Sequence, residues 1–129
     1  MADVIRIHQK RQFSLNEARE VLPVVRRITE RAVISYRNTR IRLDNVGMNP
    51  KECRAVEEEL HDHIAGWAMA VRKLGCEVKG LWIVDFDRGD GYYCWKYPEE
   101  SVLYFHKYEE GFASRVPVSM LEFSAEEDT

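Results

Sequence analysis

No apolar run in this chain approaches the roughly 20 residues needed to cross a bilayer. The opening stretch, MADVIRIHQKRQF, carries charge throughout and has no apolar h-region, so it does not read as a signal peptide. Cysteine is scarce: Cys53, Cys76 and Cys94 are an odd number at irregular spacings, and no C-x-x-C occurs. That excludes a disulfide framework and points to reduced thiols in a cytoplasmic protein. A basic excess is also missing. The formal net charge is −3, which argues against a dedicated nucleic-acid binder. Internal repeats, flexible linkers and known catalytic signatures are absent as well.

What is present is an ordinary globular composition, 45% hydrophobic and 32% charged over 129 residues. That length suits one domain, 1–129. Its first part, 13–75, reads as a helical hairpin. Ser14 followed by Glu17 forms a capping box, and Phe13 can staple onto Ala18. Leu15, Ala18, Leu22, Val25, Ala32, Tyr36, Leu43 and Val46 then recur at helical spacing, with Ile28 beside the stripe. Pro23 should kink this helix near Arg19. Gly47 and Asn49–Pro50 mark the turn. A second stripe follows at Cys53, Val56, Leu60, His63, Trp67, Ala70 and Leu74, ending at Gly75. Before the hairpin, Val4, Ile5 and Ile7 could form a small strand.

Residues 78–123 change period and read as a β-meander with a C-terminal loop. Val78 to Asp87 is one strand-like run, Tyr92 to Lys96 a second and Val102 to His106 a third. Turns fall at Arg88–Gly91 and around Pro98. Val116 to Phe123 can add a short segment before an acidic tail. The expected fold class is α+β: a long antiparallel α-helical hairpin followed by a small antiparallel sheet of about three strands. At ~1.5 Å per residue the first helix outruns such a sheet, so its far end needs a partner. A homodimer through the hairpin is the expected solution.

Several phrases together resemble a known family. FSLNEAREVLPVVRRI near the start is one. The others are VKGLWIVDF (Val78 to Phe86), Gly91, Cys94–Trp95, Glu99, Phe105–His106, Gly111–Phe112 and Arg115. The sequence is similar, over most of its length, to the small bacterial proteins grouped as domain of unknown function 2203. Pro98, Phe105 and Ser114 depart from the family's commoner Gly, Trp and Gly. The resemblance implies bacterial origin and supports the choice of residues; the family carries no agreed activity.

The chemistry-bearing residues concentrate between Asp85 and Arg115. Side chains alternate along a strand. Tyr92, Cys94 and Lys96 therefore share a face, as do Val102, Tyr104 and His106. If those faces coincide, Cys94 and His106 lie diagonally adjacent. Thiolate and imidazole are favoured by Zn²⁺, and are also the pair of an activated nucleophile. Structural packing is the simplest account of both residues, metal or ligand binding the next and catalysis the third. A metal needs further ligands, and Asp85, Glu99, Glu109 and Glu110 are candidates. Arg115 offers a fork to an anion, or a salt bridge to Asp85, Glu109 or Glu110.

Other motifs fail in detail. Asp85-x-Asp87-x-x-Asp90 has the wrong residues for a calcium loop. Arg88-Gly89-Asp90 reads as a polar turn. Glu58-x-x-His61 lacks the second motif of a di-iron bundle, and His63 reads as a satisfied core or interface histidine. The arginines of the first helix face an acidic second helix, which suggests pairing across the hairpin.

The functional expectation is a bacterial accessory or binding protein with a small-ligand or metal site on its C-terminal sheet, around Cys94, His106, Glu99, Asp85 and Arg115. The sequence does not fix a cofactor; a divalent metal such as zinc is the candidate, with Cys94 and His106 as its candidate ligands. The alternatives are an enzyme with Cys94 as nucleophile and His106 as base, or a helical scaffold that binds a protein partner and has no ligand site.

Overall fold

The computed structural model describes residues 11–45, 47 and 49–121. The strand expected at Val4–Ile7, the last stripe position Val46 and the acidic tail lie outside the described residues.

Helix α1 spans Leu15–Asp44 and α2 spans Pro50–Lys73. Ser14 and Glu17 satisfy each other's backbone N–H groups as a capping box. Asn49 caps α2 by accepting from the Glu52 N–H, and Pro50 occupies the first turn, where no N–H is needed. α1 runs through Pro23 as one helix, with the proline ring exposed. Gly75 follows α2 with φ +89°, a conformation that costs glycine little. The buried stripe of α1 is Ala18, Leu22, Val25, Thr29, Val33 and Thr39. It tracks the expected one as far as Val25 and then passes through two threonines. Thr29 is affordable there because it donates to the Val25 carbonyl and accepts the Trp67 indole N–H.

The sheet has five antiparallel strands in sequential order, not three: β1 Glu77–Gly80, β2 Ile83–Asp87, β3 Gly91–Lys96, β4 Tyr104–Lys107 and β5 Val116–Pro117. The run expected as one strand from Val78 to Asp87 folds back on itself, with Gly80 paired to Ile83 across Leu81 and Trp82. Trp82 takes φ +62°, unusual for a large side chain. Its ring lies edge-on to Tyr36 and Trp67, so contacts with both helices hold that turn. The third strand starts two residues later than expected, because Val102 is buried in the core ahead of β4.

One face of the sheet packs on the hairpin. Val84, Phe86, Tyr93, Trp95 and Phe105 join Phe13, Ala18, Leu22, Val25, Trp67 and Val71 in a single core. Two arginines of α1 reach the β3–β4 connection, Arg19 donating to the Val102 carbonyl and Arg26 to that of Glu99. Arg42 pairs with Glu59 across the hairpin, in line with the expected charge pairing. The helices thus anchor the loop that flanks the outer face of the sheet.

Candidate functional site

Strand alternation sends every second residue to the face away from the helices. In register, Glu77, Asp85, Cys94 and Tyr104 form one row across four strands, and Asp87, Tyr92 and His106 form the next. Cys94 and His106 therefore share a face one diagonal step apart, the case that alternation alone had left conditional on register. Asp85, directly opposite Cys94, completes the group.

The donor atoms of Asp85, Cys94 and His106 all lie within 4.8 Å of one another. The cluster is dry: Asp85 and Cys94 are 0% exposed and His106 is 3% exposed. A rim of long side chains shields it. Tyr92 lies against the His106 ring, Tyr108 meets Tyr92 edge-on, and the Lys79 ammonium sits over the opposite part of this aromatic group at 4.4 Å from the Tyr92 centroid. On the other flank the Arg115 guanidinium lies over both Tyr104 and Phe112. Gly91 brings β3 close to β4; a Cβ there would fall 2.5 Å from the Phe105 ring and 2.7 Å from the His106 carbonyl.

Proton accounting constrains the histidine. His106 Nδ1 is 2.9 Å from the Lys107 carbonyl and Nε2 is 2.8 Å from Asp85 Oδ2. Both neighbours are acceptors, whereas a neutral imidazole has one N–H. Nδ1–H donates to the carbonyl, so the Nε2–Oδ2 contact needs a second proton, on the ring or on the carboxyl. Asp85 Oδ1 is buried and has no hydrogen-bond partner of adequate geometry among the described residues. The Cys94 thiol stands beside this carboxylate as a weak neighbour.

Burial raises the Asp85 pKa, opposed by Cys94 and His106. Burial also pushes the Cys94 thiol far up, and the Asp85 charge adds to this, with the Arg115 charge working in the opposite direction. As it stands, the arrangement does not activate the thiol. It lacks an imidazole nitrogen free to take the thiol proton, and its environment disfavours the thiolate.

Glu99 and Arg115, the other two residues singled out from the sequence, pair with each other. Arg115 Nη1 is 3.0 Å from Glu99 Oε1 and Nη2 is 2.9 Å from Oε2. This replaces the expected partners Asp85, Glu109 and Glu110. Glu99 also accepts from the Lys96 N–H, so it is fixed to the end of β3. Sequence reasoning missed the shielding pairs Tyr108–Asp87, at 2.6 Å, and Tyr92–Glu77, at 3.3 Å. The alternation that put Tyr92 beside Cys94 was available as a signal; Tyr108 follows β4 in a turn and offered none. Elsewhere, His63 is held by Thr39 at 2.9 Å, the satisfied role expected of it, and His61 is exposed. None of the three cysteines forms a disulfide.

Searches of curated proteins and of solved structures found no match. A family model described as an uncharacterized conserved protein, domain of unknown function 2203, matches residues 11–118, which span both helices and all five strands. The chain belongs to this family.

Proposed function

We propose that this protein is a metal-binding accessory protein, and that Asp85, Cys94 and His106 hold a divalent transition metal of the zinc class on the outer face of the sheet. The observation that carries the reading is the fully buried Asp85, whose Oδ1 has no hydrogen-bond partner of adequate geometry among the described residues while the carboxylate sits between a thiol and an imidazole. A buried carboxylate oxygen without a partner costs about 1–3 kcal/mol or more. A cation placed among these three donors would satisfy it.

The donor set suits the assignment. Sulfur, imidazole nitrogen and carboxylate oxygen are all zinc ligands, and tetrahedral bonds of 2.0–2.3 Å put ligand atoms roughly 3.3–3.8 Å apart. The present separations, from 2.8 Å up to at most 4.8 Å, need shifts on the order of 1 Å to reach that geometry. Nδ1–H of His106 already donates to a backbone carbonyl, the outer contact that orients a metal-bound imidazole through Nε2. The metal would replace the shared proton between His106 and Asp85 and the proton of the Cys94 thiol. The raised thiol pKa favours this reading over a Cys94 nucleophile with His106 as base.

Zinc titrated by calorimetry into chelator-stripped protein tests the proposal. One site per chain is expected in the wild type and none in Cys94→Ala or His106→Ala, with all three folded. Equal binding by the variants would overturn it.

For partners, we infer self-association through the hairpin. Ile34 and Ile41 stand two turns apart on α1 and remain 52% and 59% exposed, which supports a second copy covering that face.

A further inference from the structure

Resting on the metal reading above, we propose that Arg115, clamped by Glu99, is a positioning residue of the site: its guanidinium donates to the Cys94 sulfur and holds it toward the metal. Three features immobilise this side chain. Glu99 engages two of its donors in a fork, and Glu99 is itself fixed by the Lys96 N–H. The guanidinium lies 4.1 Å from the Tyr104 ring centroid and 4.0 Å from that of Phe112. Only 13% of the side chain is exposed.

Position then decides what the remaining donors can meet. Tyr104 is the cross-strand partner of Cys94, so a guanidinium lying over Tyr104 flanks the cysteine. A guanidinium has five N–H donors and the Glu99 contacts use two, leaving others for the sulfur.

The charges support the same role. A divalent ion with the Asp85 carboxylate, the Cys94 thiolate and neutral His106 is neutral as a unit. The Arg115–Glu99 pair is also neutral, and in the proposed contact its positive end faces the sulfur. Such an outer contact stabilises a thiolate in a dry site without adding net charge. A purely structural fork and stack would act on stability alone and leave a metal-bound sulfur untouched.

Cobalt(II), whose absorption reports sulfur coordination, separates these roles when titrated into chelator-stripped wild type, Arg115→Gln and Arg115→Lys. Outer-contact losses typically weaken metal binding by about 10–100-fold, and that is expected for Arg115→Gln, with one site per chain kept and the sulfur-to-cobalt band shifted. Arg115→Lys keeps a charge beside Glu99 but loses the fork, so a structural role would lower stability while leaving affinity and band unchanged; the positioning role requires both to change. Wild-type affinity and spectrum in either folded variant would overturn the inference while leaving the metal site intact. A wild type that binds no cobalt would overturn the metal reading and this inference together.

Discussion

Replacing Asp85 with Asn separates a residue kept for binding from one kept for stability. In the metal-free protein, Asp85 is fully buried, shares one proton with His106 and has, among the described residues, no partner for Oδ1 stronger than the neighbouring Cys94 thiol. Asn has the same shape and no charge. Its amide can donate to His106 Nε2 while Nδ1–H keeps the Lys107 carbonyl, and its oxygen keeps the same neighbour, the Cys94 thiol. The substitution removes a buried charge, whose desolvation penalty is on the order of 1–3 kcal/mol or more. The metal-free variant should therefore be as stable as the wild type or more stable, by up to about 2 kcal/mol at neutral pH. If Asp85–His106 were instead a stabilising buried ion pair, removing one partner would cost about 3–5 kcal/mol. The sign of the pH dependence follows from the raised Asp85 pKa. A carboxyl group with a folded pKa above its unfolded value contributes most to stability in acid, and that contribution is lost as pH rises through the folded pKa. Asn does not titrate, so the advantage of Asp85→Asn should grow with pH and vanish in acid. Urea denaturation of chelator-treated proteins across that range measures it, provided the slopes agree. A loss of 3 kcal/mol or more at neutral pH in the metal-free variant would refute the reasoning.

Thiol labelling at neutral pH should leave Cys94 and Cys76 among the slowest sites in the folded metal-free protein. Burial pushes the Cys76 thiol up to about 12 and raises Cys94 further, so neither is ionised at neutral pH; half-buried Cys53 should react first. Mass spectrometry after partial labelling identifies the order, and fast modification of Cys94 would revive the nucleophile reading. For the hairpin, Ile34→Glu with Ile41→Glu should convert a dimer to a monomer on gel filtration without unfolding α1. A wild type that elutes at the mass of one chain even at high concentration would remove that proposal.

The helical hairpin was legible because its signals are local. The cap at Ser14, the Asn49–Pro50 turn, the stop at Gly75 and 3.6-residue periodicity all act within a few residues. The buried threonines were not legible, since Thr29 is acceptable inside only because Trp67, 38 residues away, supplies an N–H. The extra strand boundary escaped for a similar reason. The Leu81–Trp82 turn lacks the usual glycine or asparagine, and a tryptophan tolerates positive φ there while packed against residues of both helices. In the site, period-two alternation allowed Cys94 and His106 to share a face, but it took the β3–β4 register, with Tyr92 opposite His106 and Cys94 opposite Tyr104, to place them there. Alternation could not choose Asp85 over Glu99 as their companion. That choice depends on the β2–β3 register, which sets Asp85 opposite Cys94, and on Arg115, which engages Glu99.

The proposed role stands or falls with a metal held by the Asp85, Cys94 and His106 cluster. The most direct measurement is elemental analysis of untagged protein purified without chelator, with Cys94→Ala and His106→Ala prepared in parallel. Zinc or iron near one atom per chain in the wild type, lost from both folded variants, is the expected result. Metal-free wild type that also fails to take up added zinc, with both variants folding unchanged, would contradict it.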